Sequence, residues 1–183
     1  KMRANNIALM LADPDQVNEN AFLSCSGVLL DTIKENPNLS GDIDVSNVIV
    51  QALSNILRKG KVIPLSILND IHIALNFLYQ GIQNNLALGE EPLEIINENI
   101  RLMSFISNPL KLKLTKYNIP RNIYEKISGT VNEKFTFDSD KFVNSNPGSD
   151  TSTAIGVSIY SMTNNPRNFQ RNSSIISARI NIY

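Results

Sequence analysis

Few side chains in this sequence could take part in acid–base, nucleophilic or metal chemistry. There is one histidine, His72, and one cysteine, Cys25. A single imidazole excludes a His-based metal cluster and any HExxH helix, and a single thiol excludes an internal disulfide and a multi-cysteine zinc site. His72 follows Ile71 and stands four residues after Leu68. That spacing puts it at the edge of a helical apolar stripe, where a packed or half-exposed imidazole is expected. Cys25 falls within another such stripe and reads as a small buried hydrophobe. A Cys–His pair would require tertiary structure to bring two regular helices together at these positions.

Two acidic pairs, Asp42 with Asp44 and Asp138 with Asp140, have the oxygen chemistry for a hard cation. Calcium takes six to eight oxygens, and neither pair carries the glycine turn or terminal glutamate of an EF-hand loop. Asp44 is expected to cap a helix, and Asp138 and Asp140 to end a strand. No GxGxxG or phosphate-binding glycine loop is present. Lys111, Lys113 and Lys116 form a small basic run without the interleaved aromatics of a nucleic-acid surface. With 17 basic and 17 acidic residues, there is no electrostatic case for nucleic acid. The residues therefore predict no catalytic, metal or cofactor site, and a protein that is not an enzyme.

The elements that would position these groups change character near residue 90. Asp13-Pro14 reads as a cap followed by proline in the first turn. Beyond it, Val17, Ala21, Cys25, Val28, Leu29 and Ile33 recur at spacings of three and four, and Asn36-Pro37 closes the helix. A second helix carries Val45, Val48, Ile49, Ala52, Leu53, Ile56 and Leu57, with Arg58 and Lys59 in its last turn and Gly60 as its stop. Pro64 opens a third, with Leu65, Leu68, Ile71, Leu75, Leu78, Ile82 and Leu86 on its stripe. Three such helices with short connections predict a small bundle.

After Gly89-Glu90-Glu91-Pro92 the apolar positions alternate. Strands are expected at Ile100–Ile106, at Leu110, Leu112 and Leu114, at Phe135 and Phe137, at Ile155–Ile159 and at Ile176–Ile182. Turn chemistry separates them at Asn108-Pro109, Asn146-Pro147-Gly148 and Asn164-Asn165-Pro166. Helices followed by strands predict an α+β fold, with a helical subdomain over 1–89 and a β subdomain over 90–183.

A hydrophobic fraction of 42% over 183 residues suits a globular core. No apolar run approaches the roughly 20 residues of a membrane span, and no signal peptide is visible at the start. The final strand pattern stops without a turn, so the chain is expected to continue as part of a longer protein. Among 25 asparagines, two lie in N-x-S/T sequons, Asn38-Leu39-Ser40 and Asn172-Ser173-Ser174. These are candidate glycosylation sites, compatible with secretion.

The order of segments resembles a known family. The helices over Val48–Leu57 and Leu65–Leu86 lead through the Gly89-Glu90-Glu91-Pro92-Leu93 hinge to Ile100-Arg101-Leu102-Met103-Ser104-Phe105-Ile106. Ile119-Pro120 and Phe135-Thr136-Phe137 follow. Then come Ile155-Gly156-Val157-Ser158-Ile159-Tyr160, the Asn164-Asn165-Pro166 turn and Ser173-Ser174-Ile175-Ile176-Ser177-Ala178-Arg179-Ile180. This resembles the GAIN domain of adhesion receptors, in its polycystin-1-like, receptor-for-egg-jelly form. The resemblance implies a helical subdomain packed on an antiparallel β-sandwich at the extracellular face of a plasma or ciliary membrane. It also implies a membrane-anchored parent and protein partners, such as a polycystin-2-like channel or the rest of its own chain. Cleaving members use a His-Leu-Thr/Ser step. Nothing here matches it, and the tryptophan and paired cysteines of that segment are absent, so no catalytic residue is carried over. A structural module of an extracellular or ciliary filament is the alternative expectation. An intracellular helical adaptor with a β appendage is a third, which predicts no glycan at Asn38 or Asn172.

Overall fold

A computed structural model describes residues 2–13, 16–36, 41–58, 63–114, 116–129, 134–137, 154–163 and 174–182. The helical half contains α1 (Met2–Met10), α2 (Glu19–Glu35), α3 (Ile43–Arg58) and α4 (Leu65–Gln83). The second half contains β1 (Leu93–Ile96), β2 (Ile100–Ser107), α5 (Pro109–Leu114), β3 (Tyr117–Asn118), α6 (Ile123–Ser128), β4 (Lys134–Phe135), β5 (Ile155–Thr163) and β6 (Ser174–Ile182). The fold is α+β, as the switch of period predicts.

Local chemistry starts the helices at different places from those expected. Asn18, not Asp13, caps α2, its side chain accepting from the Ala21 amide at 2.9 Å. Asp13 instead closes a turn on Gln16, whose amide and side chain both bond back to it. Asp42 rather than Asp44 caps α3, with Oδ1 accepting from the amides of Asp44 and Val45. Pro64 stands at the N-cap of α4. The lysine and glycine expected to end α3, Lys59 and Gly60, lie outside the described residues.

On α3 the buried face is Val45, Ile49, Ala52, Leu53, Ile56 and Leu57, as its period requires. The buried face of α2 is rotated from the expected one. Phe22, Ser26, Leu29, Leu30 and Ile33 are inside, Cys25 is half-buried and Val28 is exposed. Ser26 is tolerated there because its hydroxyl donates to the Phe22 carbonyl at 2.8 Å. On α4, Leu65 is exposed, while Ile67, Ala74 and Tyr79 join Ile71, Leu75, Leu78 and Ile82 inside. Helix α1 packs on α3, and α2 on α4.

The main sheet is antiparallel in the order β1-β2-β5-β6, and β3 pairs with β4 in a separate two-stranded ribbon. Strand β2 is buried along its whole length. Its Ile100 and Leu102, with Tyr160 and Met162 of β5 and Ile95 of β1, belong to the same core as the helices. On the opposite face, Met103 and Phe105 of β2 join Ile155, Val157 and Ile159 of β5 in a second core closed by Leu112 of α5 and Ile119. The other described sheet is only the two-stranded β3–β4 ribbon, whose Tyr117 packs against this second core, so the described strands do not complete a sandwich. One reason is local: Leu110, Leu112 and Leu114, expected as a strand, lie in α5. Asn108 caps this helix by accepting from the Lys111 amide at 2.7 Å, and Pro109 takes its first turn.

Arg101 is the only charged side chain among the fully buried described residues, and it lies on the α5–α6 side of β2. Its guanidinium meets Glu125 of α6 at 2.8 Å and donates to the Ser161 hydroxyl on the paired position of β5. Breaking one partner of a buried ion pair strands the other. Arg101→Ala should therefore lower stability by about 3 kcal/mol in urea denaturation. Lys34→Ala, which removes the half-exposed Lys34–Asp70 pair between α2 and α4 (3.0 Å), should cost less than about 1 kcal/mol.

Candidate functional site

The polar groups buried between α4 and the sheet form the best-defined candidate site. The 3.6-residue period of α4 turns His72, Tyr79 and Gln83 toward the strands, and the two-residue period of β5 points Tyr160 and Ser158 back at them. Tyr160 stands opposite Leu102 of β2, and Ser158 opposite Ser104. The Tyr160 hydroxyl and His72 Nδ1 are hydrogen-bonded. With the imidazole neutral and the phenol donating, the ring proton sits on Nε2. Tyr79 stacks on Tyr160 with centroids 5.5 Å apart and planes 26° from parallel. One turn further, Gln83 Nε2 donates to Ser158 Oγ at 2.7 Å, and Ser158 shares a 2.8 Å hydrogen bond with Ser104.

Burial sets the proton affinities here. It holds the His72 imidazole below its ordinary value of 6.5. It pushes the Tyr79 phenol well above its ordinary value, and the neighbouring Tyr160 phenol adds to that shift. Both groups are thus kept neutral near pH 7. The Tyr79 hydroxyl is buried without a hydrogen-bond partner. A neutral His–Tyr pair can pass a proton, but its partners here are an aromatic stack and an amide–hydroxyl chain, which orient and pack rather than attack.

A shallow cleft of about 210 Å³ lies at the Ser107 end of β2. It is lined by the hinge Gly89–Pro92, by Phe105, Ile106 and Ser107, and by Lys111 and Tyr117. Tyr117 stacks on Phe105 at 4.1 Å between centroids. Gly89 turns the chain with φ +80, a conformation suited to glycine, and its amide donates to the Ile106 carbonyl at 3.0 Å. The Ser107 hydroxyl is buried there without a partner.

The remaining candidates are dispersed. Cys25 is a free thiol on α2. Asp42 is engaged as a helix cap, and Asp138, Asp140, Asn38 and Asn172 lie outside the described residues. Among the described residues, no group of three or more His, Cys, Asp or Glu is placed to hold a metal ion. Their helices include none long and apolar enough to cross a membrane. Sequence reasoning located His72 but missed its partner, because a tyrosine in an alternating strand gives no sign of what stands across from it. The signal it passed over was the run of polar residues at Arg101, Ser104, Ser158 and Ser161 within strands too apolar to have a wet face. No protein-family model matches the chain, and no curated protein matches it.

Three outcomes are expected. Because folding lowers the affinity of His72 for a proton, the unfolded chain protonates first as pH falls through about 6.5. Stability should fall from that point and level off below the folded-state value, and His72→Gln should remove this part of the slope in melts between pH 5 and 8. In urea denaturation, Tyr79→Phe should range from neutral to about 1 kcal/mol more stable, since it deletes an unsatisfied buried hydroxyl. Tyr160→Phe should be about 1 kcal/mol less stable, because His72 loses its partner.

Proposed function

We propose that this chain is a non-catalytic, membrane-proximal extracellular module of a polycystin-1-like surface receptor or channel subunit. It serves as a scaffold through which force or partner binding reaches the membrane. The observation that carries the proposal is the succession of elements. A helical layer, α2 to α4, passes through the Gly89 hinge into antiparallel strands, and the last of these, β6, spans Ser174–Ile182 at the edge of the sheet. This is the order that the resemblance to GAIN domains implies, and the Ser-Ser-x-Ile-Ser segment quoted for that resemblance runs into β6. The His72–Tyr160 and Gln83–Ser158 contacts suit a scaffold, since they couple the helical layer to the sheet without presenting a nucleophile.

The long edge of β6 also suits the alternative, a structural module of an extracellular or ciliary filament in which edge strands pair between neighbours. In either case the β-sandwich would be completed by residues other than the described strands.

The test is to tag the parent protein and stain intact and permeabilised cells, with glycan mass measured at Asn38 and Asn172. Surface staining of intact cells and an enzymatically removable glycan on either asparagine are expected. Staining only after permeabilisation, with both asparagines unmodified, would overturn the extracellular placement. Recovery of the chain in regular polymers without a membrane-embedded segment in its parent would favour the filament.

A further inference from the structure

The cleft at the Ser107 end of β2 lies where β2, the Gly89–Pro92 hinge, α5 and β3 meet. The two-residue period of β2 puts Phe105 and Ser107 on one face, the face on which Met103 joins the core closed by α5. The hinge brings Glu90 and Glu91 to the rim, while α5 and β3 bring Lys111 and Tyr117. Phe105 is 2% exposed and Ser107 is 3% exposed, whereas Glu90, Glu91 and Lys111 are open to solvent. The base of the cleft is therefore aromatic, and its rim carries both signs of charge.

Two features of this cleft serve no contact within the fold. The Ser107 hydroxyl is buried with no hydrogen-bond partner among the described residues. A buried hydroxyl left unsatisfied lowers stability, and such a group in a native protein calls for a reason. The ion pairs among the described residues include none of Glu90, Glu91 and Lys111, although all three line the one cleft. Glu90 is engaged locally, its Oε2 accepting from the Ala87 amide at 2.8 Å. That leaves the Glu91 carboxylate and the Lys111 ammonium unpaired among the described residues.

We propose that this cleft binds a single aromatic α-amino acid as its zwitterion. The ligand's carboxylate meets the Lys111 ammonium, its ammonium meets Glu91, and its ring lies along Phe105 and Tyr117. The Ser107 hydroxyl rotates about one bond, and a carboxylate oxygen at the base of the cleft gives it the acceptor it lacks. A ligand of one sign would pair with one rim group and repel the other, whereas a zwitterion matches both. Phe105 and Tyr117, stacked at 4.1 Å, present an aromatic surface on which a further ring packs offset or edge-on. The volume of about 210 Å³ equals roughly seven waters at their liquid share of about 30 Å³ each. That is room for one residue and too little for a drug-sized ligand. This inference does not rest on the receptor reading.

The test is to titrate the 183-residue chain with free phenylalanine, following amide signals by NMR. Three analogues each lack one part: phenethylamine has no carboxylate, hydrocinnamate no ammonium and glycine no ring. Phenylalanine should give saturable shifts with a Kd on the order of 0.1–1 mM, within reach of so small a ligand. Each analogue should bind about tenfold more weakly. Glu91→Gln should weaken phenylalanine and phenethylamine but not hydrocinnamate. Lys111→Met should weaken phenylalanine and hydrocinnamate but not phenethylamine. Ser107→Ala should weaken the same two ligands as Lys111→Met without lowering stability in urea denaturation, because its hydroxyl has no internal bond to lose. Glu91 and Lys111 are exposed, and the same denaturation curves identify any variant that fails to fold, in which case the analogue series decides. The proposal is overturned by the absence of saturable shifts at about 10 mM phenylalanine, or by equal affinity for phenylalanine and any of the three analogues. Undiminished phenylalanine binding by folded Glu91→Gln or Lys111→Met overturns it too. Purified protein and free ligand report on this cleft whatever compartment the cell-staining experiment reveals.

Discussion

Strands β2 and β5 run together with no wet face along their paired length, and the arrangement of the described residues follows from that. The helices cover one side and the α5–α6 layer covers the other. Any polar side chain on these strands must then find a partner inside the protein or leave a donor or acceptor unsatisfied. Arg101 meets Ser161 and Glu125 on one side, while Ser104 and Ser158 meet Gln83 on the other. Each set joins strand to strand and strand to helix, so the same groups that satisfy the sheet also fix the layers above and below it.

This double cover explains why helices and sheet share a core. Leu102, Tyr160 and Met162 pack with Leu53, Leu75 and Leu78 in one continuous cluster. A further clasp forms where Ser54 of α3 meets the β1–β2 turn. Its hydroxyl accepts from the Asn99 amide, and its carbonyl accepts from the Asn99 side chain, both at 2.9 Å. Oriented polar contacts within an apolar contact surface restrict sliding of the layers in a way that apolar packing alone does not.

The change of period near residue 90 was legible, and so were α3, β2, β5 and β6, because their apolar spacing is long and regular. The stop of α2 at Asn36 was legible too. Four short or weakly patterned elements, α1, β1, β3 and α6, were not. In α6 the apolar residues face outward, so its pattern reports no core. Two similar dipeptides exchanged roles. Asp13-Pro14 has the residues of a cap, yet Asp13 takes a turn bond from Gln16, whereas Asn108-Pro109 has the residues of a turn and starts α5. A local signal of one acceptor and one proline does not reveal whether the next turn of helix has something to pack against. Leu112 does have it, in the core below the sheet, and that contact overrides the strand-like alternation from Leu110 to Leu114. For the candidate site, His72 was visible by type. Tyr160 and Gln83 acquire meaning only through pairing across 88 and 75 positions.

The register of β2 and β5 also has a kinetic side. Ser107 pairs with Ile155, so this ladder closes only when the connection 108–154 has brought its ends together. The α3–α4 contacts and the β1–β2 hairpin are local and carry a much smaller loop-closure cost. The helical layer and the hairpin can therefore assemble early in synthesis with Leu102 and Ile100 already in place. The other side of β2, with Arg101 and Met103, must wait for β5 before it leaves water. During that interval the unpaired edge of β2 is open to strands from neighbouring chains, so the time that β5 takes to arrive sets how long this chain is exposed to mispairing.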